Sequence, residues 1–329
     1  MGYVNAGRWT TDAPPEIDAK GAFVRMASAF RDRITADGSS GFKAEAGRYH
    51  LYVGYQCPWA HRTLLYRSLK GLKGAISIAA ALPGFGEHGW TYGTDPDAPD
   101  ATEDPANGFK YLWQAYVAAD PNYTGKTTIP TLWDKQTGRI VNNESSEIIR
   151  MLNSEFVGVA GNDLDFYPEP LQAEIDAVNE LTYAGVNNGV YRAGFATTQA
   201  AYEAAYDLVF ATLDQLEARL AHSRYLVGDK PTEADWRLFP SLVRFDVAYF
   251  SLFKCNRQQL RDFPNLWAYT RDLYAYPGVA ETVKPRFYVQ NYYSLWINPN
   301  GVIPKGAPVD FSEPIGTNGQ AADGGRTGY

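Results

Sequence analysis

Between Tyr49 and Leu72 the hydrophobic period of the chain changes from two to 3.6, and a single cysteine stands at the change. In "RYHLYVGYQCPWAHRTLLYRSLKGL", Tyr49, Leu51, Val53 and Tyr55 alternate with His50, Tyr52 and Gly54, the pattern of a half-buried strand. From Pro58 onward the apolar positions are Leu64, Leu65, Leu69 and Leu72, the stripe of a helix. Pro58 suits the first helical turn, where its missing N–H has no partner to lose. A second, continuously apolar run, "AISIAAA" (75–81), follows. Strand, helix and strand in that order imply a right-handed parallel crossover.

Next comes a long Gly-, Pro- and Asp-rich excursion, "LPGFGEHGWTYGTDPDAPDATEDPANG", of the kind that is functional or disordered inside a compact domain. "FKYLWQAYVAAD" predicts a helix, "TTIPTLWD" (127–134) and "RIVNN" (139–143) two strands around the turn "KQTG", and "ESSEIIRMLN" a closing helix. The resulting order, β-α-β-α-β-β-α, is the thioredoxin-like arrangement, with Pro130 just ahead of the hairpin. In that fold the proline is cis, and the backbone of the preceding residue, here Ile129, is free to pair with an extended thiol peptide.

Residues 1–43 predict an irregular arm in which Phe23, Met26, Phe30 and Ile34 fall at helix-like spacing. After the linker "VGVAGNDLDFYPEP" the pattern turns helical, with candidate helices at 171–188, 198–222, 232–252, 265–276 and 279–293. Thr232 and Asp235 form an acidic variant of a capping box, and Pro240 predicts a kink. From 297 the Gly- and Pro-rich extension lacks periodicity, which predicts order near its start and mobility near its end. The expected fold is therefore an arm (1–43), an α/β thioredoxin-like domain (44–156), an all-α domain (165–296) and an extension (297–329).

At 329 residues the chain exceeds the roughly 250–300 at which one hydrophobic core stops growing, in keeping with two domains. A hydrophobic share of 45% with 20% charged residues is globular, not disordered. The net charge of −7, with no basic run, argues against nucleic acid as a partner. The amino end lacks the apolar core of a signal peptide, and no run is long enough to span a membrane. With two cysteines, Cys57 and Cys255, a disulfide framework is not expected, and a reducing cytoplasm fits. His50, His61, His88 and His222 are scattered, so no metal site is expected. The 23 tyrosines suit either a pocket for flat aromatic ligands or amphipathic filler.

Cys57 is the candidate nucleophile. A thiol at a strand-to-helix junction lies at the positive end of the helix dipole, which predicts a pKa lowered from about 8.5 toward neutrality or below. Ala60 stands where a CxxC pair would carry its second cysteine, so an external thiol must resolve any disulfide formed at Cys57. Cys255 is read as an inert core thiol and His61 as structural.

A thioredoxin-like unit followed by helices, the first turn of one marked by a threonine capping box, resembles the cytosolic glutathione transferases. "GRYHLYVGYQCPWAHRTLLYRSLKGL", "DPNYTGKTTIPTLWDK", "NNESSEIIRMLN", "TEADWRLFPSLVRFD" and "INPNGVIPKG" together resemble the glutathionyl-hydroquinone reductases, or Xi class. The resemblance implies reduction of a glutathionyl-hydroquinone by glutathione, a co-substrate and not a bound cofactor, through a Cys57–glutathione mixed disulfide. It implies Tyr191 and Tyr292 over the hydroquinone ring, and Glu144 and Ser145 on the γ-glutamyl end of glutathione. Ile129 would take the cysteinyl backbone, Trp90 would line the peptide, and Lys126 would face the glycyl carboxylate. Pro130, Thr232 and Asp235 would be structural, and a homodimer would form through the helical domains. Lys126 stands where the family more often has arginine, and Asn291 and Leu295 where histidines are expected. Two alternatives share the fold: an omega-like thiol transferase or dehydroascorbate reductase, and a ligand carrier without catalysis.

Overall fold

The computed structural model describes residues 2–305 and 309–312. The chain opens with a hairpin, β1 (Tyr3–Asn5) and β2 (Arg8–Thr10), turned by Ala6 and Gly7 at φ 47° and 73°. The sequence reading did not anticipate this hairpin, which pairs through β1 with β5 (Gly125–Lys126) into a small antiparallel sheet. Gly7 also allows close approach, since a Cβ there would fall 2.0 Å from the Pro121 carbonyl oxygen.

The rest of the arm forms no helix, despite the spacing of Phe23, Met26, Phe30 and Ile34. Its backbone groups are claimed by other segments. Phe30 N donates to Asn143 Oδ1 (3.0 Å), Asn143 N to the Phe30 carbonyl (3.1 Å), and Thr197 N to the Gly21 carbonyl (3.0 Å). A helix would have to break those bonds to make its own. Phe23 and Ile34 are buried, whereas Met26 is 40% exposed, so the arm is a strap with apolar anchors.

The thioredoxin-like order is present: β3 (Tyr49–Val53), α1 (Pro58–Leu69), β4 (Ser77–Ala80), α2 (Leu112–Ala119), then after β5 the strands β6 (Thr131–Asp134) and β7 (Arg139–Asn142), and α3 (Ser145–Ser154). The sheet runs β4-β3-β6-β7, with β3 parallel to β4 and antiparallel to β6. All five residues of β3 are buried, which corrects the half-buried expectation. The long loop after β4 supplies the reason. Its Asp104 accepts from Tyr52 Oη (2.9 Å), Ala106 N (2.9 Å) and Phe109 N (3.1 Å), fastening the loop over that face of the sheet. His50, also buried, pairs with Ser77 Oγ (2.8 Å).

The helical domain consists of α4 (Gln172–Thr182), α5 (Gly189–Gly194), α6 (Gln199–Leu220), α7 (Glu233–Arg244), α8 (Pro264–Tyr274) and α9 (Pro285–Tyr292). Two of the expected helices change pitch: α4 passes into a π turn at Tyr183–Asn187, and α7 into another at Phe245–Tyr249. The α7 helix is continuous through Pro240. The helix expected at 279–293 is divided into a 3-10 turn (Ala280–Thr282) and α9. Pro285 holds Lys284 out of helical geometry, at φ −128° and ψ 76°.

The capping box at Thr232 is as expected. Asp235 Oδ2 accepts from Thr232 N (2.7 Å), while Oδ1 accepts from Leu226 N (2.9 Å) and Tyr269 Oη (2.7 Å). Early in the extension, Phe311 packs against Trp267 and Tyr274. The predicted mobility of the distal extension lies outside the described residues. Among the described residues, no helix is long and apolar enough to cross a membrane.

Candidate active site

Cys57 is the N-cap of α1, in extended geometry (φ −85°, ψ 122°), with Pro58 at the first helical position. The junction is clamped from the helical domain by buried Arg244, the last residue of α7. Its guanidinium donates to the carbonyls of Tyr55 (2.6 Å), Gln56 (3.1 Å) and Pro240 (2.6 Å) and lies 3.8 Å from the Tyr288 ring centroid. Arg244 Nη1 is also 3.1 Å from His61 Nδ1. An arginine can only donate, so Nδ1 accepts and the His61 proton sits on Nε2, 2.8 Å from Thr282 Oγ1. Burial and the facing arginine push the His61 pKa well down. His61 is therefore a neutral structural residue.

A second buried arginine, Arg62, spans the domains. It donates to Asn187 Oδ1 (3.1 Å), the Arg237 carbonyl (3.0 Å) and Ser145 Oγ (3.4 Å), and burial brings its pKa down to about 9.

Cys57 opens on a cavity of about 300 Å³ between the domains and the arm. Its thiol donates to the Ile129 carbonyl (3.5 Å), and the Ile129–Pro130 peptide is cis. The expected fall in the Cys57 pKa is not met: burial pushes the thiol above its ordinary value. The Ala60 amide, Arg244, the Trp59 amide and Arg25 all favour the thiolate but do not outweigh desolvation. A raised pKa lowers the thiolate fraction at neutral pH and makes each thiolate a stronger nucleophile.

The structure brings every sequence-predicted ligand residue to this cavity. On one side lie Trp90, Lys126, Ile129, Glu144 and Ser145. Glu144 is the N-cap of α3, accepting from Ser146 N (3.1 Å), Ser146 Oγ (2.9 Å) and Ser28 Oγ (3.0 Å). Ser145 heads that helix, where unpaired N–H groups favour an anion. Lys126 reaches the cavity with its ammonium ion-paired to Glu16 of the arm, and burial lowers its pKa. A glycyl carboxylate at Lys126 would thus meet a cation that Glu16 already holds.

On the other side, Tyr191 from α5 and Tyr292 from α9 face each other with hydroxyl oxygens 2.6 Å apart. Tyr249 completes a triangle, 3.0 Å from Tyr292 Oη and 3.5 Å from Tyr191 Oη. Burial pushes all three phenols up, so each keeps its proton at neutral pH. Asn291 and Leu295 line the same side, and Asn291 Oδ1 is buried without a hydrogen-bond partner. Among the described residues, no cluster of His, Cys, Asp and Glu could hold a metal ion. Cys255 is fully buried, and burial pushes its thiol up to about 12.

A thiol at a strand–helix junction, a cis proline beside it and an aromatic wall from a helical domain define a family, and sequence comparison identifies it. The glutathione S-transferase N-terminal domain family matches residues 56–155, and the glutathione S-transferase C-terminal domain family matches 199–272. Glutathionyl-hydroquinone reductase PcpF of Sphingobium chlorophenolicum is 48% identical over 308 residues, covering 93% of this chain and 96% of that protein. Glutathionyl-hydroquinone reductase YqjG of Escherichia coli K12 is 46% identical, with 96% of this chain and 98% of that protein covered. Among solved structures, the Xi class GST from Natrialba magadii superposes with a TM-score of 0.89 at 44% identity, covering 95% of each chain. The glutathione-bound structure of YqjG superposes with a TM-score of 0.84 at 47% identity, covering 87% of this chain and 95% of that one. The chain belongs to the Xi-class glutathione transferases.

In this Xi-class protein, the residues that sequence reading missed are those that act across long separations. Arg25, Ser28 and Tyr249 carry no local motif, and Arg62 and Arg244 lie in the Cys57 and Thr232 segments without a local sign of the bonds they make across the domains. The one available signal was an arginine inside the apolar stretch "FVRMASAF".

Proposed function

We propose that this protein reduces glutathionyl-hydroquinones to hydroquinones with glutathione as reductant, releasing oxidised glutathione. The observation that carries the reading is the sharing of one cavity by the Cys57 thiol and a protonated tyrosine cluster. Both are needed, because an aryl carbon leaves a sulfur poorly unless the ring is first protonated on carbon to its keto tautomer. Tyr191 and Tyr292 are the proton donors in this reading, with Tyr249 hydrogen-bonded behind them. The Cys57 thiolate then forms a disulfide with the glutathione sulfur while the carbon–sulfur bond breaks into the ring. A second glutathione attacks that disulfide and restores Cys57, since Ala60 cannot.

Glu144 and Ser145 hold the γ-glutamyl end, Ile129 the cysteinyl backbone, Trp90 the peptide flank, and Lys126 the glycyl end once it exchanges Glu16 for the ligand. The glutathione-bound structure of the relative YqjG supports glutathione as the thiol. The reading retains 44–156 and 165–296 as domain limits, a reducing cytoplasm as the setting for two free thiols, and a homodimer through the helical domains. An omega-like dehydroascorbate reductase would share Cys57 but has no use for two phenols on the cavity wall backed by a third.

Intact-mass measurement after mixing with a glutathionyl-hydroquinone tests the reaction. The expected product carries one glutathione on Cys57, removed by free glutathione. An unmodified chain, or equal turnover of dehydroascorbate, overturns the proposal.

A further inference from the structure

Beyond its minor support of the Cys57 thiolate, one charged group of the cavity has no part in the reaction above. Arg25, on the arm, lines the cavity beside Cys57, Trp59 and Tyr191. Its Nε donates to Asn188 Oδ1 (2.9 Å), which fixes the guanidinium from behind. The guanidinium carbon lies 4.9 Å from the Trp59 ring centroid, 5.0 Å from that of Tyr191 and 5.3 Å from that of Phe23. Aromatic faces thus hold the cation without neutralising it. Its Nη2 is buried and has no hydrogen-bond partner. Among the described residues no carboxylate lies within ion-pair distance of Arg25, whereas the other cavity charges are engaged: Lys126 with Glu16, and Glu144 with Ser28 and Ser146. A buried N–H group of a cation that lacks an acceptor is unfavourable unless a ligand completes it.

We propose that Arg25 is a catalytic residue of the ring site, donating to the ring oxygen on which negative charge builds as the carbon–sulfur bond breaks. This rests on the ring-reduction reading above. In that step the Cys57 thiolate gives a pair to the new sulfur–sulfur bond, and the pair of the carbon–sulfur bond moves into the ring ketone. The product is a hydroquinone monophenolate; sulfur is oxidised to the disulfide level, the ring is reduced, and a proton finally neutralises the oxygen. The charge therefore appears on oxygen and not on sulfur. The tyrosine hydroxyls are neutral donors, and Arg25 supplies the positive charge they lack. A preorganised donor aimed at a developing oxyanion is among the strongest catalytic devices in a dry site.

The test compares two substrates of the full-length protein. One is a glutathionyl-hydroquinone. The other is the mixed disulfide of glutathione and 2-mercaptoethanol, which loads Cys57 with glutathione but expels a thiolate and contains no ring. Arg25→Gln is expected to lower kcat on the ring substrate about 10²-fold, the size of a lost oxyanion donor. Its kcat on the mixed disulfide should fall far less, by no more than the minor support that Arg25 gives the Cys57 thiolate, and its KM for glutathione should stay within about twofold of wild type. The ringless substrate also reads any effect of Arg25 on the Cys57 thiolate. Arg25→Lys keeps the charge but not the planar donor fork, so it should recover part of the loss. If the Gln variant fails to fold, a ring-selective deficit in the Lys variant decides the matter. Equal losses on both substrates, or no loss on either, overturn the proposal. A wild-type protein that reduces the mixed disulfide but not the ring conjugate overturns the ring-reduction reading itself. A ring-active wild type with an unselective Arg25→Gln overturns only the role of Arg25.

Discussion

On the sulfur side of the cavity, Cys57, Ile129, Glu144 and Ser145 are placed by backbone: a strand end, a cis peptide and two helix starts within one domain. On the ring side, Tyr191, Tyr249 and Tyr292 stand on three separate segments of the other domain and hold one another by their hydroxyls. The sulfur side is laid out by local chain geometry and then fastened by side chains such as Arg244 and Ser28. The ring side exists only once α5, the π turn after α7, and α9 are packed. Chemistry on sulfur should therefore be separable from chemistry on the ring, with Arg244 as the bolt between them.

The largest effect expected is that of Cys57→Ser, which should abolish turnover of ring conjugates and ringless glutathione disulfides alike; residual activity on either would mean a second sulfur nucleophile. Tyr292→Phe should divide the two chemistries. A lost proton donor lowers kcat by about 10²–10⁴-fold on the ring conjugate, and the ringless disulfide should be unaffected. Parallel losses on both substrates would break the comparison, because Tyr292 would then be serving the sulfur side as well.

Arg244→Met removes the donor of three carbonyls, each of which costs about 1–3 kcal/mol when left buried and unpaired. A stability loss of about 3 kcal/mol or more is expected in urea titration, and a loss below about 1 kcal/mol would show that the junction holds itself. The smallest effect concerns pH. The Cys57 pKa is raised, so its thiolate fraction, and with it the rate of iodoacetamide alkylation, should climb about tenfold per pH unit through neutrality and past about 8.5. A plateau below pH 7 would show that the helix N-terminus and the two arginines outweigh burial.

Much of the sulfur side was legible in the sequence because its signals are short-range. The change of period at Cys57, the "TIPT" proline and the Glu144–Ser145 helix start are each contained in fewer residues than one turn of contact order can scramble. The helical domain was legible in outline, yet α7 and α4 both widen into π turns that periodicity alone did not separate from helix. The arm misled, because the spacing of its apolar residues records what they bury and says nothing of which partner takes the backbone bonds. Of the tyrosine cluster, Tyr191 and Tyr292 entered only through family resemblance, and Tyr249 did not enter at all.

The sequence by itself determined the α/β-then-α order, the cysteine at the head of α1 without a resolving partner, and the capped start of α7, since each depends on residues a few positions apart. Tertiary structure alone decided the burial of β3 on both faces, the meeting of three tyrosine hydroxyls, the Arg25 guanidinium beside them with its Nη2 left without an acceptor, and the sign of the Cys57 pKa shift. Burial and charge balance are sums over everything that packs around a group, and those neighbours arrive from distant parts of the chain.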